Sequence, residues 1–207
     1  MNRWLDISMP LHAEIPTWPG DTPYSFKLSW HKEQSGSVNV GQFTMSTHTG
    51  THIDAPYHFD EHGDKVLALE VNQYAGRALV IDASHTDLVR SYLLENIEKY
   101  DVTCVLFKTL SWSDRSHFPE RITAIDATIV PLLAANGIAL LGVDVPSVDP
   151  LDSKTLPAHH ALHKHQIAIV EGLVLDDIVP GVYEFMALPL PLQGADGSPV
   201  RAVLRAI

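Results

Sequence analysis

Apolar and polar residues alternate along Tyr24-Ser25-Phe26-Lys27-Leu28-Ser29-Trp30, the period of a strand. Arg3 through Ser8 and Asn39 through Ser46 read the same way. Further along the pattern changes. Ala78–Ile81, Val102–Lys108, Ile138–Val143 and Ile167–Leu173 are short apolar runs, as expected of buried strands. Between them, His85 through Tyr100 places Leu88, Tyr92, Leu93 and Ile97 at helical spacing, with Asp87 near its start, so a helix is expected there. Two more are expected near Asp126–Asn136 and Ala158–Lys164, and strands near Tyr183–Leu188 and Val200–Ile207. Strands alternating with helices predict an α/β fold with a mixed sheet, and the strand-rich first third predicts antiparallel additions. No repeat, low-complexity segment or linker interrupts the pattern.

Composition narrows the class. A chain of 207 residues suits one domain, 1–207, with a sizeable core. Its formal net charge of −11 leaves no basic stripe to neutralise phosphates, which argues against a nucleic-acid partner and an anionic membrane surface. The longest apolar stretches, such as Ile138–Val143, are far too short to span a bilayer. The start, Met1-Asn2-Arg3-Trp4-Leu5-Asp6, has no signal-peptide apolar region. One cysteine excludes an internal disulfide and suggests a reducing cytoplasm. That residue, Cys104, sits in an apolar run and reads as a buried structural thiol.

The chemistry concentrates in Ser46-Thr47-His48-Thr49-Gly50-Thr51-His52-Ile53-Asp54-Ala55-Pro56-Tyr57-His58. Neutral imidazole and carboxylate are ligands that borderline divalent metals such as zinc prefer, and a lone thiol cannot build a thiolate site. His48 and His52 lie four apart, but the β-branched Thr47, Thr49 and Thr51, the central Gly50 and the following Pro56 oppose a helix. In an extended chain His48, His52, Asp54 and His58 would share a face. His52 and Asp54 would stand roughly 6–7 Å apart, whereas His48 and His52 would be about 13 Å apart, too far to share an ion. A turn or bulge at Thr49-Gly50 is therefore expected to fold His48 back toward the other two.

A second group is Ala158-His159-His160-Ala161-Leu162-His163-Lys164-His165, followed six residues on by Glu171 at the end of the run Ile167–Val170. On a helix His159 and His163 share a face. A carboxylate closing a buried strand is costly unless it is paired or bound to metal. His163 and His165 read as solvated surface groups.

The motif His48-x-Gly50-Thr51-His52-x-Asp54-x-Pro56-x-His58 resembles the signature of the metal-dependent cyclase family, and within it the branch of bacterial kynurenine formamidases (arylformamidases). The likeness continues through Leu5–Ser8, Pro16–Asp21, Gly142–Asp149, Ala158–His160 and Glu171–Asp176. It implies a compact cyclase-like swivelling β/β/α fold and two divalent metals per subunit, usually zinc, with manganese an alternative. Position by position, His48, His52 and Asp54 match the first metal site. Asp54 bridges to a second site completed by Glu171 and the histidine twelve residues before it, His159, with His160 as the neighbouring imidazole in the register. His58 matches the proton shuttle and Trp18 the substrate-contacting tryptophan. One departure is Gly172, where relatives often carry a polar residue.

The activity implied is hydrolysis of the formyl amide of N-formyl-L-kynurenine to L-kynurenine and formate, a step of tryptophan degradation, by a cytoplasmic homodimer. Two other readings stand beside it. One is a related hydrolase that opens a cyclic amide such as isatin. The other is a non-catalytic metal-binding module, against which His58 argues, because a closed structural site has no use for a proton carrier. Trp112 and Phe118 either flank the pocket or meet a partner subunit.

Overall fold

The computed structural model describes residues 3–207; Met1 and Asn2, part of the start segment read above, lie outside the described residues. The strands are β1 (Leu5–Asp6), β2 (Ser25–Trp30), β3 (Val40–Thr44), β4 (His52–Asp54), β5 (Ala75–Asp82), β6 (Leu88–Val89) and β7 (Cys104–Lys108). They continue with β8 (Ala124–Ile125), β9 (Leu140–Val143), β10 (Ala168–Glu171), β11 (Gly181–Met186), β12 (Gly197–Pro199) and β13 (Val203–Ala206). The helices are α1 (Lys32–Ser35), α2 (Val130–Ala135) and α3 (Pro157–Lys164).

Nine strands form one mixed sheet in the order β1-β13-β11-β5-β7-β9-β10-β4-β12. The central ladder β5-β7-β9-β10 is parallel, and the flanking pairings are antiparallel. This is the mixed α/β sheet that the alternation predicts. The parallel strands are apolar on both faces because both are covered. Val105, Phe107, Leu141, Val143 and Ile169 pack with Leu133 of α2 and Leu162 of α3 on one face. Cys104, Leu106, Leu140 and Val170 pack with Ile53, Leu173 and Phe185 on the other. Cys104 is fully buried, and burial pushes its thiol up to about 11.

One expected element is different. Residues 85–100 do not form an α-helix: Leu88–Val89 pairs in parallel with Ala124–Ile125, and two 3-10 turns follow at Ser91–Leu94 and Ile97–Lys99. The Thr86 hydroxyl bonds the backbone N–H and C=O of Leu88, and Asn96 takes a left-handed conformation, φ 64°. Each holds the chain off a helical path. Of the four residues at helical spacing only Ile97 is buried; Leu88 and Leu93 are half-buried, Tyr92 is exposed, and Val89 and Leu94, outside that spacing, fill the core instead. The closing strand expected at 200–207 is found shortened as β13, and β12 is a separate strand that pairs with β4.

Candidate metal centre

The β4–β10 register builds the centre. Glu171 stands directly across from His52, and Ile169 across from Asp54. Side chains two apart on a strand share a face, so His52, Asp54 and Glu171 project together. Ile53 and Val170 point away into the second core cluster. All three polar side chains are buried. His52 Nε2 lies 3.5 Å from both Asp54 Oδ1 and Glu171 Oε2.

The turn before β4 brings in His48. Gly50 adopts φ 70°, a conformation glycine takes without steric cost, and the chain reverses over residues 47–51. His48 Nδ1 thereby reaches to 2.9 Å from Asp54 Oδ1, with the His48 and His52 rings 5.1 Å apart. His58 follows in the 3-10 turn Pro56–His58, its ring 3.9 Å from that of His48 and tilted 32° to it.

The sheet face that carries these groups is also packed by α3. The helix turns His159 inward and leaves His160 exposed. His159 Nε2 lies 3.3 Å from Asp54 Oδ2 and 3.7 Å from Glu171 Oε1. His163, expected on the surface, is half-buried against the Phe59 ring at 5.8 Å, and His165 is half-buried too.

Each inward imidazole is oriented by its far nitrogen. His52 Nδ1–H donates to the Gly50 carbonyl at 3.0 Å, and His159 Nδ1–H to Asp149 Oδ2 at 2.7 Å. Both leave Nε2 facing the carboxylates, the arrangement that second-shell acceptors impose on metal-binding histidines. Glu171 Oε1 accepts from Val148 N at 2.8 Å. Asp149 and Asp196 escaped the sequence reading as centre residues. Asp196 reaches back from the turn before β12: Oδ2 lies 3.1 Å from His48 Nε2 and 3.6 Å from His58 Nδ1, and Oδ1 accepts from Thr47 Oγ1 at 2.9 Å.

The electrostatics follow from burying so many ionisable groups together. Burial alone would lower the pKa of His48, but Asp196 and Asp54 more than offset it and raise it to about 10. His159 follows the same pattern: burial opposes, while Asp149, Asp54 and Glu171 raise it to about 10. Glu171 is raised by burial and by the neighbouring Asp54. Burial pushes Asp54 up as well, but His159, His48 and His52 hold it well below the usual carboxylate range. The His58 pKa is lowered, chiefly by burial.

This donor set fits a divalent cation. His48, Asp54 and His58 form one group whose ligand atoms all lie within 4.8 Å of one another, and His52, Asp54 and Glu171 form another. Asp54 belongs to both. Its Oδ2 is buried with no hydrogen-bond partner among the described residues, since the His159 approach lacks hydrogen-bond geometry. A buried carboxylate oxygen left unpaired is costly, and a cation shared with His159 Nε2 would satisfy it.

The centre opens into a cavity of about 450 Å³ lined by Trp18, Trp112 and Phe118 as well as by its own histidines. Trp18 is 41% exposed and meets Phe118 edge-on at 5.2 Å, and Phe118 lies 6.2 Å from Trp112. All three belong to this chain's own pocket wall.

Known proteins place this architecture. The Cyclase family model, described as "Putative cyclase", matches residues 5–150. A protein of Geobacillus thermodenitrificans (strain NG80-2) named kynurenine formamidase is 56% identical over 205 residues, covering 99% of this chain and 98% of that one. A solved structure titled as a potential metal-dependent hydrolase with cyclase activity superposes with a TM-score of 0.82 at 26% identity, over 99% and 98% of the two chains. Isatin hydrolase A from Labrenzia aggregata shares the fold, with a TM-score of 0.84 at 21% identity over 99% and 93%. Full-length sequence identity and a matching fold lead to one conclusion: the chain belongs to the cyclase family.

Proposed function

We propose that this chain is a metal-dependent arylformamidase that hydrolyses the formyl amide of N-formyl-L-kynurenine to L-kynurenine and formate. The observation that carries the reading is the convergence of His48, His52, Asp54, His159 and Glu171 on one buried face beside an aromatic cavity. The 56% identity to a protein named kynurenine formamidase supports the substrate. The cyclic-amide alternative has weaker support, because the isatin hydrolase likeness, at 21% identity, is one of fold.

In this reading His48, His52 and Asp54 hold one zinc ion, and Asp54, His159 and Glu171 a second, with manganese as a substitute. A divalent cation held there polarises the formyl carbonyl and lowers the pKa of a water from about 16 toward 7. The protein's own groups supply the rest. Trp18, with Phe118 and Trp112 behind it, stacks the aryl ring and sets the formyl carbon toward the centre. Asp196 lies beside His58 Nδ1 and His48 Nε2. His58, its pKa lowered by burial, is largely neutral at pH 7 and accepts the proton of the attacking water. It then delivers that proton to the amide nitrogen, because an anilide anion is a poor leaving group. The C–N bond breaks, releasing the arylamine and formic acid, whose remaining proton passes to solvent to leave formate.

Residues 1–207 act as one domain, in the cytoplasm, as half of a homodimer. Support for the dimer comes from the β2–β3 hairpin, where the cross-strand pair Phe26 and Phe43 stands exposed on one face; a second copy would cover that face. A single-chain mass at sedimentation equilibrium would refute the dimer.

The test of the activity combines metal content per chain with formate release from N-formylkynurenine. Chelation should abolish turnover and zinc restore it. His58→Ala should keep its metal and lose turnover by about a hundredfold or more. Full activity in that variant would remove the shuttle, and metal-independent turnover would remove the whole mechanism.

A further inference from the structure

Outside the metal centre the cavity lining carries two charged side chains, Lys154 and Asp21. Lys154 lies on the segment 150–156 that leads into α3, where Pro150, Leu151 and Leu156 also line the cavity. Its ammonium has no ion-pair or hydrogen-bond partner among the described residues. Asp21 lies on the loop that carries Trp18, to which it is tied by the turn bond from its N–H to the Trp18 carbonyl, 2.9 Å. Its Oδ1 accepts from Thr22 N at 2.6 Å, which leaves Oδ2 free.

The surroundings make that lone cation informative. The chain has a formal net charge of −11, and the cavity ends on the buried carboxylate of Glu171. Such a field repels an anionic substrate, and the apolar lining would strip water from it. A simple aryl formamide is neutral and needs no counter-charge. An aryl formamide with an amino-acid side chain brings one carboxylate and one ammonium. The lining offers one cation and one anion, each on a loop that also carries apolar or aromatic wall residues.

We propose that Lys154 determines specificity by pairing with the α-carboxylate of an amino-acid-bearing aryl formamide, while Asp21 accepts from its α-ammonium. The inference rests on the arylformamidase reading and adds to it the choice among aryl formamides. Neither residue touches the reacting bond, so both act on substrate binding.

The test compares N-formyl-L-kynurenine with formanilide, which has the same scissile bond and no amino-acid group, on the metal-loaded full chain. Lys154→Met should raise KM for N-formylkynurenine with little change in kcat. The ratio of kcat/KM values, N-formylkynurenine over formanilide, should fall about ten- to a hundredfold, the worth of one charge-assisted hydrogen bond. Lys154→Arg should recover most of that ratio, and Asp21→Asn should lower it in the same direction. As a readout apart from turnover, titration calorimetry on chelator-treated protein should show weaker L-kynurenine binding in Lys154→Met. An unchanged ratio, or equal losses on both substrates, would overturn the proposal while leaving the formamidase reading intact. Failure of the unmodified protein to release formate from either compound would overturn both.

Discussion

Asp149 makes three contacts that converge on the start of α3. Its Oδ1 accepts from Ala158 N at 3.0 Å, and its Oδ2 from His159 N at 3.0 Å and from His159 Nδ1 at 2.7 Å. One carboxylate thus satisfies two N–H groups of the first helical turn and fixes the His159 tautomer. The chain reaches this point through Leu156 at φ 42°, a left-handed conformation costly for a side chain with a Cβ. Asp149→Asn replaces one acceptor oxygen with a donor that opposes those N–H groups. Metal affinity should fall about 10–100-fold, measured by competition against a chelator; an unaltered affinity would deny Asp149 its orienting part. At this scale the motif was legible where donors crowd one stretch, as in residues 48–58. Asp149 and Asp196 were not, since a lone aspartate in a Pro- or Gly-containing loop reads as turn chemistry until the fold returns it to a histidine.

Among the elements, the crossing of two turns matters most. The Thr51 hydroxyl accepts from Met9 N at 2.8 Å and donates to the Gly172 carbonyl at 2.6 Å, tying the turn before β4 to the end of β10. Gly172 has φ 66°, and a Cβ there would lie 2.3 Å from the Gly50 carbonyl oxygen. Any side chain at this position would therefore strain this backbone. Gly172→Ala should cost about 3 kcal/mol, lowering Tm by about 6–12 °C in a chain of this size. Calorimetry would check it, and a Tm within a degree of the parent would show that the two turns separate freely. The strands of the parallel ladder were readable because each is an apolar run covered on both faces. Residues 85–100 were not, because pairing of Leu88–Val89 with Ala124–Ile125 involves a partner 36 residues away, which local periodicity does not register.

For the whole molecule, the clustered charges set a pH dependence. In chelator-treated protein His48 and His159 have folded pKa values of about 10, above the ordinary 6.5 of imidazole. Their contribution to stability is complete below pH 6.5 and is lost as pH rises toward 10. Glu171, raised by burial and Asp54, acts with the same sign. Asp54 and Asp196 are lowered, so their contribution is present above pH 3.8 and is lost only in acid. The Tm of the chelator-treated protein should therefore fall between pH 6.5 and 10. Zinc affinity should rise over the same range, as protons cease to compete for the imidazoles. A flat Tm across that window would mean the imidazolium–carboxylate pairs contribute nothing to the fold. No helix among the described residues is long and apolar enough to cross a membrane.

The sequence by itself determined the donor types, the shared face of His52 and Asp54, the need for a bend at Gly50 and the α/β class, because these depend on composition and on periods of two to four residues. Only the tertiary structure decided that Glu171 stands opposite His52, that His159 rather than His160 turns inward, and that Asp149, Asp196, Trp112 and Phe118 join the site. Those contacts arise from strand register and from loops returning across the sheet, and no local pattern along the chain encodes the distance between residues brought together from its two ends.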